Sequence, residues 1–313
     1  MIIENQEQIT EAVLRELQRI KDPRLKEILS AVVRHLHDLA REVNLTEAEF
    51  RQGCAFIAKL GQSTNESHNE VVLLAGSLGL SSLVCLLNNG QGQTETTANL
   101  LGPFWRMDSP LTENGGSIVR SETVGSSLFV DVWIKDINGE PIADAEVDVW
   151  NTSEEGYYEN QDPAQPNMNL RGKFQSDSSG HISFQTVKPA PYPIPVDGPV
   201  GDLIRAQGRS NMRPAHVHFL IHKPGYKSHI SQVYANDDIY LETDVQFGVT
   251  NKLIGNFVRH QNEKPPSPDA TDPWYSLEYT FTVEPGDSSL PRPPITGKTD
   301  EDEKPVLEIL ERL

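Results

Sequence analysis

The sequence predicts an α+β protein, with an all-α domain over residues 1–100 followed by an antiparallel β-sandwich over residues 101–313. Three observations predict it. Apolar residues recur at the 3.6-residue period of amphipathic helices as far as Leu87. From Leu128 onward the period is two, with turn signals between short apolar runs and no helical pattern among them, as in a sandwich. Between these regions, residues 88–127 are rich in Gly, Asn, Ser and Thr, which marks a change of architecture.

Thr10 opens a helical segment with Val13, Leu14, Leu17 and Ile20 on one face. Asp22 and Pro23 supply an N-cap and a first-turn proline for a long helix striped by Leu25, Ile28, Leu29, Val32, Leu36 and Leu39. His35 and His37, two apart on that helix, face different directions and are expected at its surface or edge. Thr46 and Glu49 form a capping box ahead of Phe50, Cys54, Ile57 and Leu60. A fourth helix is expected from about Asn69 to Leu87. It is apolar nearly all round, so it should lie between other helices or at a subunit contact.

The loop from Asn99 to Arg106 is an apolar island. Its Phe104 and Trp105 would be costly to expose, so it should pack on the core or wall a pocket. Strands follow around Leu128–Ile134, Ala145–Val149, Ile182–Phe184, His216–His222, Ile230–Tyr234 and Tyr279–Val283. Asn138-Gly139 and Ser178-Ser179-Gly180 mark turns. Residues 262–273 and 285–297 are Pro-rich loops. Thr299 to Leu313 reads as an acidic run and then a short amphipathic helix (Val306, Leu307, Leu310, Leu313) packed on the body or on a partner subunit.

A net charge of −18 argues against nucleic acid and against an anionic membrane surface. The two cysteines, Cys54 and Cys85, have no ligand pattern beside them and read as buried free thiols of a reduced compartment. The first residues lack a basic and apolar leader, and no run reaches transmembrane length, so a soluble, cytoplasmic protein without membrane insertion is expected.

The chemistry centres on His216 and His218. On a strand they share one face, about 7 Å apart, while Val217 and Phe219 take the other. A lone His-x-His is more often a pair of sheet histidines than a metal site, so other ligands are needed. No Cys, Asp or Glu stands at a familiar zinc spacing. Two tyrosine sites stand out instead: Tyr157-Tyr158 after Gly156, and Tyr192, held among Pro189, Pro191, Pro193 and Pro195. Phenolate is a hard oxygen donor, and two phenolates with two imidazoles suit Fe(III) better than zinc or copper(I). A free phenol titrates near pH 10, so the ion must supply the charge that deprotonates it.

The segment from Val147 to Trp150, Gly156 with Tyr158, then Tyr192, the run Arg213-Pro214-Ala215-His216-Val217-His218, and Gln232 together resemble the intradiol ring-cleaving dioxygenases. The resemblance covers nearly the whole chain. It implies a helical linker and dimerisation domain over 1–100, and an Fe(III) β-sandwich over 101–313 that opens a small aromatic diol or triol with O2. It also implies Tyr158 and His218 as equatorial ligands and Tyr192 and His216 as axial ones. Tyr158 is preferred over Tyr157 because the family's tyrosine stands two residues past the glycine. Arg213 is implied to stabilise charge on the ring, Gln232 to bond a ligand or the substrate, and Tyr192 to take a substrate proton; His222 is expected to be structural. No nicotinamide or flavin is required, and no Gly-x-Gly-x-x-Gly opens a helix.

Within the family, residues 192–200 and the loop at Leu101 look most like hydroxyquinol (benzene-1,2,4-triol) 1,2-dioxygenases. The implied pocket is walled by Leu73, Gly76, Leu100, Leu101, Gly102, Pro103, Phe104, Ile194, Pro195 and Val196. Gly76 departs from an acidic residue expected near that place, which leaves catechol or a substituted catechol open and implies only a modest preference for the triol. The resemblance further implies a homodimer through the helical domain, which can hold a phospholipid. Two rival readings stand beside it: a zinc hydrolase using the histidines and a carboxylate, and a non-enzymatic β-sandwich binding module.

Overall fold

The computed structural model describes residues 2–65, 68–89, 95–120, 123–295, 297–298 and 302–311. The chain forms two compact units, Met1–Lys59 and Leu60–Leu313.

The first unit holds α1 (Glu7–Leu17), α2 (Pro23–Glu42) and most of α3 (Glu47–Gln62). Asp22 Oδ1 accepts from the backbone N–H groups of Arg24 and Leu25, with Pro23 at the first turn, as the sequence predicts. Glu49 N–H donates to Thr46 Oγ1 and Thr46 N–H to Glu49 Oε2, which closes the capping box. Arg41 and His37 both reach Thr10 Oγ1 and so tie α2 to α1. Along α2, Leu25, Ile28, Val32, Leu36 and Leu39 remain exposed. Cys54 is exposed on α3 and Cys85 half-buried; both are free, and neither is the buried thiol expected.

The second unit begins with α4 (Glu70–Ser77) and α5 (Leu80–Asn88). The single helix expected over 69–87 is therefore two, bent by 76°. The cause is Gly79, whose φ of +74° lies in the left-handed region that glycine enters without steric cost. α4 is fastened to the body through Glu70, whose Oε2 accepts from Val200 N–H, and α5 through Ser82 Oγ, which donates to Gln246 O. Val71, Val72, Leu80, Leu83 and Leu87 are exposed, so the described residues of the second unit leave this apolar surface open. Among the described residues no single helix is long and apolar enough to cross a membrane.

The strands are β1 (Gly116–Ser117), β2 (Ser127–Asp136), β3 (Glu146–Asn151), β4 (Arg171–Gln175), β5 (His181–Val187), β6 (Tyr192–Pro193), β7 (Met212–Arg213), β8 (His216–His222), β9 (His229–Ala235), β10 (Ile254–Gly255), β11 (Val258–His260) and β12 (Trp274–Val283), with α6 (Pro199–Ala206) between β6 and β7. They form two five-stranded sheets, β1-β5-β2-β12-β11 and β10-β9-β8-β3-β4, while β6 pairs with β7 alone. Most pairings are antiparallel, but β12 runs parallel to β2 over nine residue pairs from Leu128↔Tyr275 to Asp136↔Val283. Parallel neighbours need a long connection, and nearly the whole domain lies between these two.

The core lies between the sheets. Val130, Val132 and Ile134 from β2 meet Val147, Val149, Val217 and Phe219 from β3 and β8, all essentially inaccessible. The period-two reading of β8 holds: Val217, Phe219 and Ile221 enter this core, leaving His216 and His218 on the opposite face.

Residues 302–311 carry no helix, contrary to the amphipathic helix expected there, and Leu313 lies outside the described residues. The tail, part of the second unit, is instead held without regular structure by side-chain bonds. Asn211 Nδ2 donates to Glu308 O and Leu310 N–H donates to Asn211 Oδ1, and these pairings replace the helical ones. Val306, meant for the helix's apolar face, is exposed.

Candidate metal centre

Four side chains from three places in the chain converge beside the β8–β3 sheet. Tyr158 Oη lies 2.9 Å from His218 Nε2 and 3.4 Å from Tyr192 Oη, and the two histidine Nε2 atoms are 3.1 Å apart. All four side chains are buried, Tyr192 being the most accessible at 8%. Tyr192 is placed by the short pairing of β6 with β7, opposite Arg213. Tyr157 points elsewhere and donates to Pro305 O, so Tyr158 is the tyrosine of the pair that reaches the cluster. His222 is bonded to Ser228 Oγ, outside the cluster.

This donor set fits a cation. His216 Nδ1 lies 2.6 Å from Pro214 O; a carbonyl only accepts, so Nδ1 carries the hydrogen and Nε2 presents a lone pair to the cluster. Burial, with Arg213 nearby, lowers the His216 pKa to about 3. Burial and the neighbouring His216 push His218 well down too, so both imidazoles stay neutral. Burial, together with Tyr192, pushes the Tyr158 phenol up. Only a strong local positive charge would release that proton. One imidazole nitrogen left bare by the Pro214 bond, a second imidazole nitrogen and two phenol oxygens turned on one point, without a carboxylate, form a site for a hard trivalent ion such as Fe(III). Among the described residues no three His, Cys, Asp or Glu side chains cluster for a metal, so a zinc site of the His-His-carboxylate kind has no donors.

The loop from Asn99 to Arg106 covers the cluster, as its apolar composition predicts. Phe104 packs on Tyr158 with ring centroids 4.8 Å apart, and Leu101 packs on the same group. At Gly102, with φ of +74°, an added Cβ would lie 3.3 Å from His218 Cε1, so backbone itself lies against the imidazole. The other face of His218 stacks on Trp150, centroids 4.5 Å apart and nearly parallel. Of the implied pocket residues, Leu100 accepts from Gln232 Nε2 at its carbonyl, and Ile194 N–H donates to Asn211 O. Pro195 and Val196 lead into α6, and Leu73 and Gly76 lie one turn apart on α4.

Arg213 is buried and held by Asp244 Oδ1 at 3.1 Å, Gln232 Oε1 at 2.9 Å and Tyr234 Oη at 3.0 Å. Its Nη1 has no hydrogen-bond partner among the described residues. Its alternative reading, a surface ion pair, is excluded by this burial. Gln232 is spent on Arg213, Tyr234 and Leu100, so it orients neighbours rather than presenting a free amide. Asp244, Tyr234 and Asn99, whose Nδ2 donates to Tyr234 Oη, complete a network that sequence reasoning missed. Tyr234 alone had a local signal, lying two residues past Gln232 on the same strand face.

The loop is pinned from behind by Trp105 Nε1, which donates to Asp148 Oδ2 at 3.3 Å. Burial pushes the Asp148 carboxyl up to about 7, even with Lys173 Nζ 3.8 Å away. In the unfolded chain it titrates near its ordinary value of about 4. Between these values the folded protein binds more protons, so stability falls as pH rises from about 4 to about 7. Asp148→Asn should remove that decline and add on the order of 1–4 kcal/mol at pH 8. Denaturation curves at pH 5 and pH 8 check this; equal pH slopes in both proteins would contradict it.

The family model described as Dioxygenase matches residues 100–284, and that described as Catechol dioxygenase N terminus matches residues 22–96. A 6-chlorohydroxyquinol 1,2-dioxygenase from Cupriavidus pinatubonensis is 36% identical, over 90% of this chain and 98% of its own. A catechol 1,2-dioxygenase from Candida albicans is 35% identical, over 88% of this chain and 91% of its own. The solved hydroxyquinol 1,2-dioxygenase from Pseudomonas putida DLL-E4 superposes with a TM-score of 0.84 at 35% identity, over 90% of this chain and 99% of that one.

Proposed function

The chain belongs to the intradiol ring-cleavage dioxygenases, and from that membership we propose that it opens hydroxyquinol between adjacent hydroxyls with O2, giving a hydroxymuconate or maleylacetate product. The observation that supports the chemistry is the meeting of two phenols and two neutral imidazoles at one buried point. Tyr158, Tyr192, His216 and His218 would hold Fe(III). When bound, the ion supplies a Lewis-acid position for the deprotonated diol and draws charge from its ring, opening the ring to O2. Held as a phenolate by the ion, Tyr192, the most accessible of the four, would take a proton of the incoming diol at Oη. Arg213, with Nη1 spare, steadies negative charge on the ring in a site that the Asn99–Arg106 loop keeps dry. Leu73, Gly76, residues 100–104 and residues 194–196 form the wall.

Similarity to the catechol 1,2-dioxygenase of Candida albicans favours catechol as the second reading. Oxygen uptake by the iron-loaded protein on hydroxyquinol, catechol and 4-substituted catechols decides between them. Hydroxyquinol should give the highest kcat/KM, from a protein coloured by phenolate-to-iron charge transfer. Preference for catechol would overturn the substrate, and a colourless protein without uptake would overturn the site.

Residues 1–100 would then serve as linker and dimerisation domain and 101–313 as catalytic domain. The exposed apolar stripe of α2 and the open faces of α4 and α5 support a homodimer that can hold a phospholipid. Two free cysteines are in keeping with a cytoplasmic location. Native mass spectrometry reads assembly and lipid together: a monomer at all concentrations would end the dimer, and a lipid-free dimer the phospholipid.

A further inference from the structure

Resting on the assignment of Tyr192 to the metal centre, we propose that residues 304–310 form a strap that positions Tyr192, acting through Asn211 and Arg205. The stretch that carries Tyr192 has few groups with which to hold itself. Pro189, Pro191, Pro193 and Pro195 have no N–H, and the pairing of β6 with β7 covers only two residues. Two residues past Tyr192, Ile194 is gripped at both backbone polar groups by Asn211. Its N–H donates to Asn211 O and its carbonyl accepts from Asn211 Nδ2, each at 2.9 Å. Val196 O then accepts from Arg205 Nη1 at 3.0 Å.

Both of these holders are themselves held by the tail. Asn211 Nδ2 gives its second hydrogen to Glu308 O, and Asn211 Oδ1 accepts from Leu310 N–H, each at 2.9 Å. Arg205 Nη2 reaches Glu308 Oε2 at 2.8 Å. Asn211 is fully buried, and a side-chain amide has two hydrogens to give, so both are committed to carbonyls. Without the tail this amide loses two of its three partners and turns toward water, releasing Ile194 O. The Arg205–Glu308 pair is partly exposed and contributes little alone, so the main-chain bonds to Asn211 carry the effect. The strap acts by direction more than by apolar burial, because Val306 and Ile309 are exposed. Its upstream end lies beside the segment of the other phenol, where Tyr157 Oη donates to Pro305 O and Lys304 Nζ pairs with Glu155 Oε2 at 2.7 Å. All of it lies past residue 284, where the match to the family model ends.

The test compares wild type, a chain ending at Glu303, Leu310→Pro and Leu310→Ala. Leu310→Pro removes the N–H that Asn211 accepts, whereas Leu310→Ala keeps it and should behave as wild type. The first readout is amide hydrogen exchange on the metal-free proteins. Exchange at Ile194 should quicken about tenfold in the shortened chain and in Leu310→Pro, with the amides of β8 unchanged. The second is the iron-loaded protein, in which the phenolate-to-iron absorption band should shift and iron affinity fall about tenfold. Unchanged exchange at Ile194 overturns the strap, and equal quickening in β8 shows a general loss of stability and overturns the positioning role. Faster exchange at Ile194 with the band and iron affinity unmoved overturns the link to Tyr192 while the metal centre stands. A wild type that takes up no iron overturns the centre on which the proposal rests. If the shortened chain does not fold, Leu310→Pro against Leu310→Ala decides by the same readouts.

Discussion

Tyr158→Phe is expected to yield a folded protein that no longer retains iron. The ring stays packed against Phe104, so the apolar contacts survive and only the oxygen is lost. That oxygen is one of four donors, and it bonds His218 Nε2 at 2.9 Å. Removing even an outer partner of a metal ligand costs about 10–100-fold in affinity or activity, so loss of the ligand should exceed a hundredfold. Metal analysis after desalting, with oxygen uptake, measures it. Tyr157→Phe is the control, because its hydroxyl bonds Pro305 O away from the cluster. A Tyr158→Phe protein with full iron and wild-type turnover would remove the centre as described.

The second large effect concerns Glu159, the residue after that ligand. Its Oε1 accepts from Arg171 Nε at 2.6 Å and from Arg106 Nη1 at 2.8 Å, with all three side chains buried. Arg171 in turn donates through Nη1 to Phe104 O at 2.6 Å, so one carboxylate organises both the Tyr158 segment and the loop over the site. Glu159→Ala strands two guanidinium groups away from water. Breaking a buried pair in this way costs about 3–5 kcal/mol, and here two partners are orphaned at once. Urea denaturation should show a loss at or above that range. A loss under about 1 kcal/mol would mean that water already reaches these arginines.

The legible parts of the molecule were those in which one local period or one local motif decides the outcome. Alternation in β8 put His216 and His218 on one face, the Asp22-Pro23 cap opened α2 and the Thr46–Glu49 capping box α3, and the apolar loop at Phe104 and Trp105 had to be covered. The helix over 69–87 was misread because its apolar pattern runs unbroken through Gly79, while the bend depends on one φ angle and on the anchoring of Ser82 to Gln246. The tail at Val306 has a helical pattern too, but Asn211 claims its backbone groups. Asp244 and Gln246 carried no signal at all. They are polar residues of a loop, and their contacts arise only where that loop meets Arg213 and Gly76.

The pairing of β2 with β12 has a consequence for how the chain comes to be folded. Tyr158, Tyr192, His216 and His218 are all synthesised before residue 220, yet the sheet facing theirs has a gap beside β2 until Trp274–Val283 arrives. The contacts that close it join Leu128 to Tyr275, among the longest sequence separations in the molecule. Such high contact order makes closure late and slow, and a chain arrested before β12 exposes the apolar edge of β2 to its neighbours in the cell. Iron that met the four donors in that interval would find them on a half-built support.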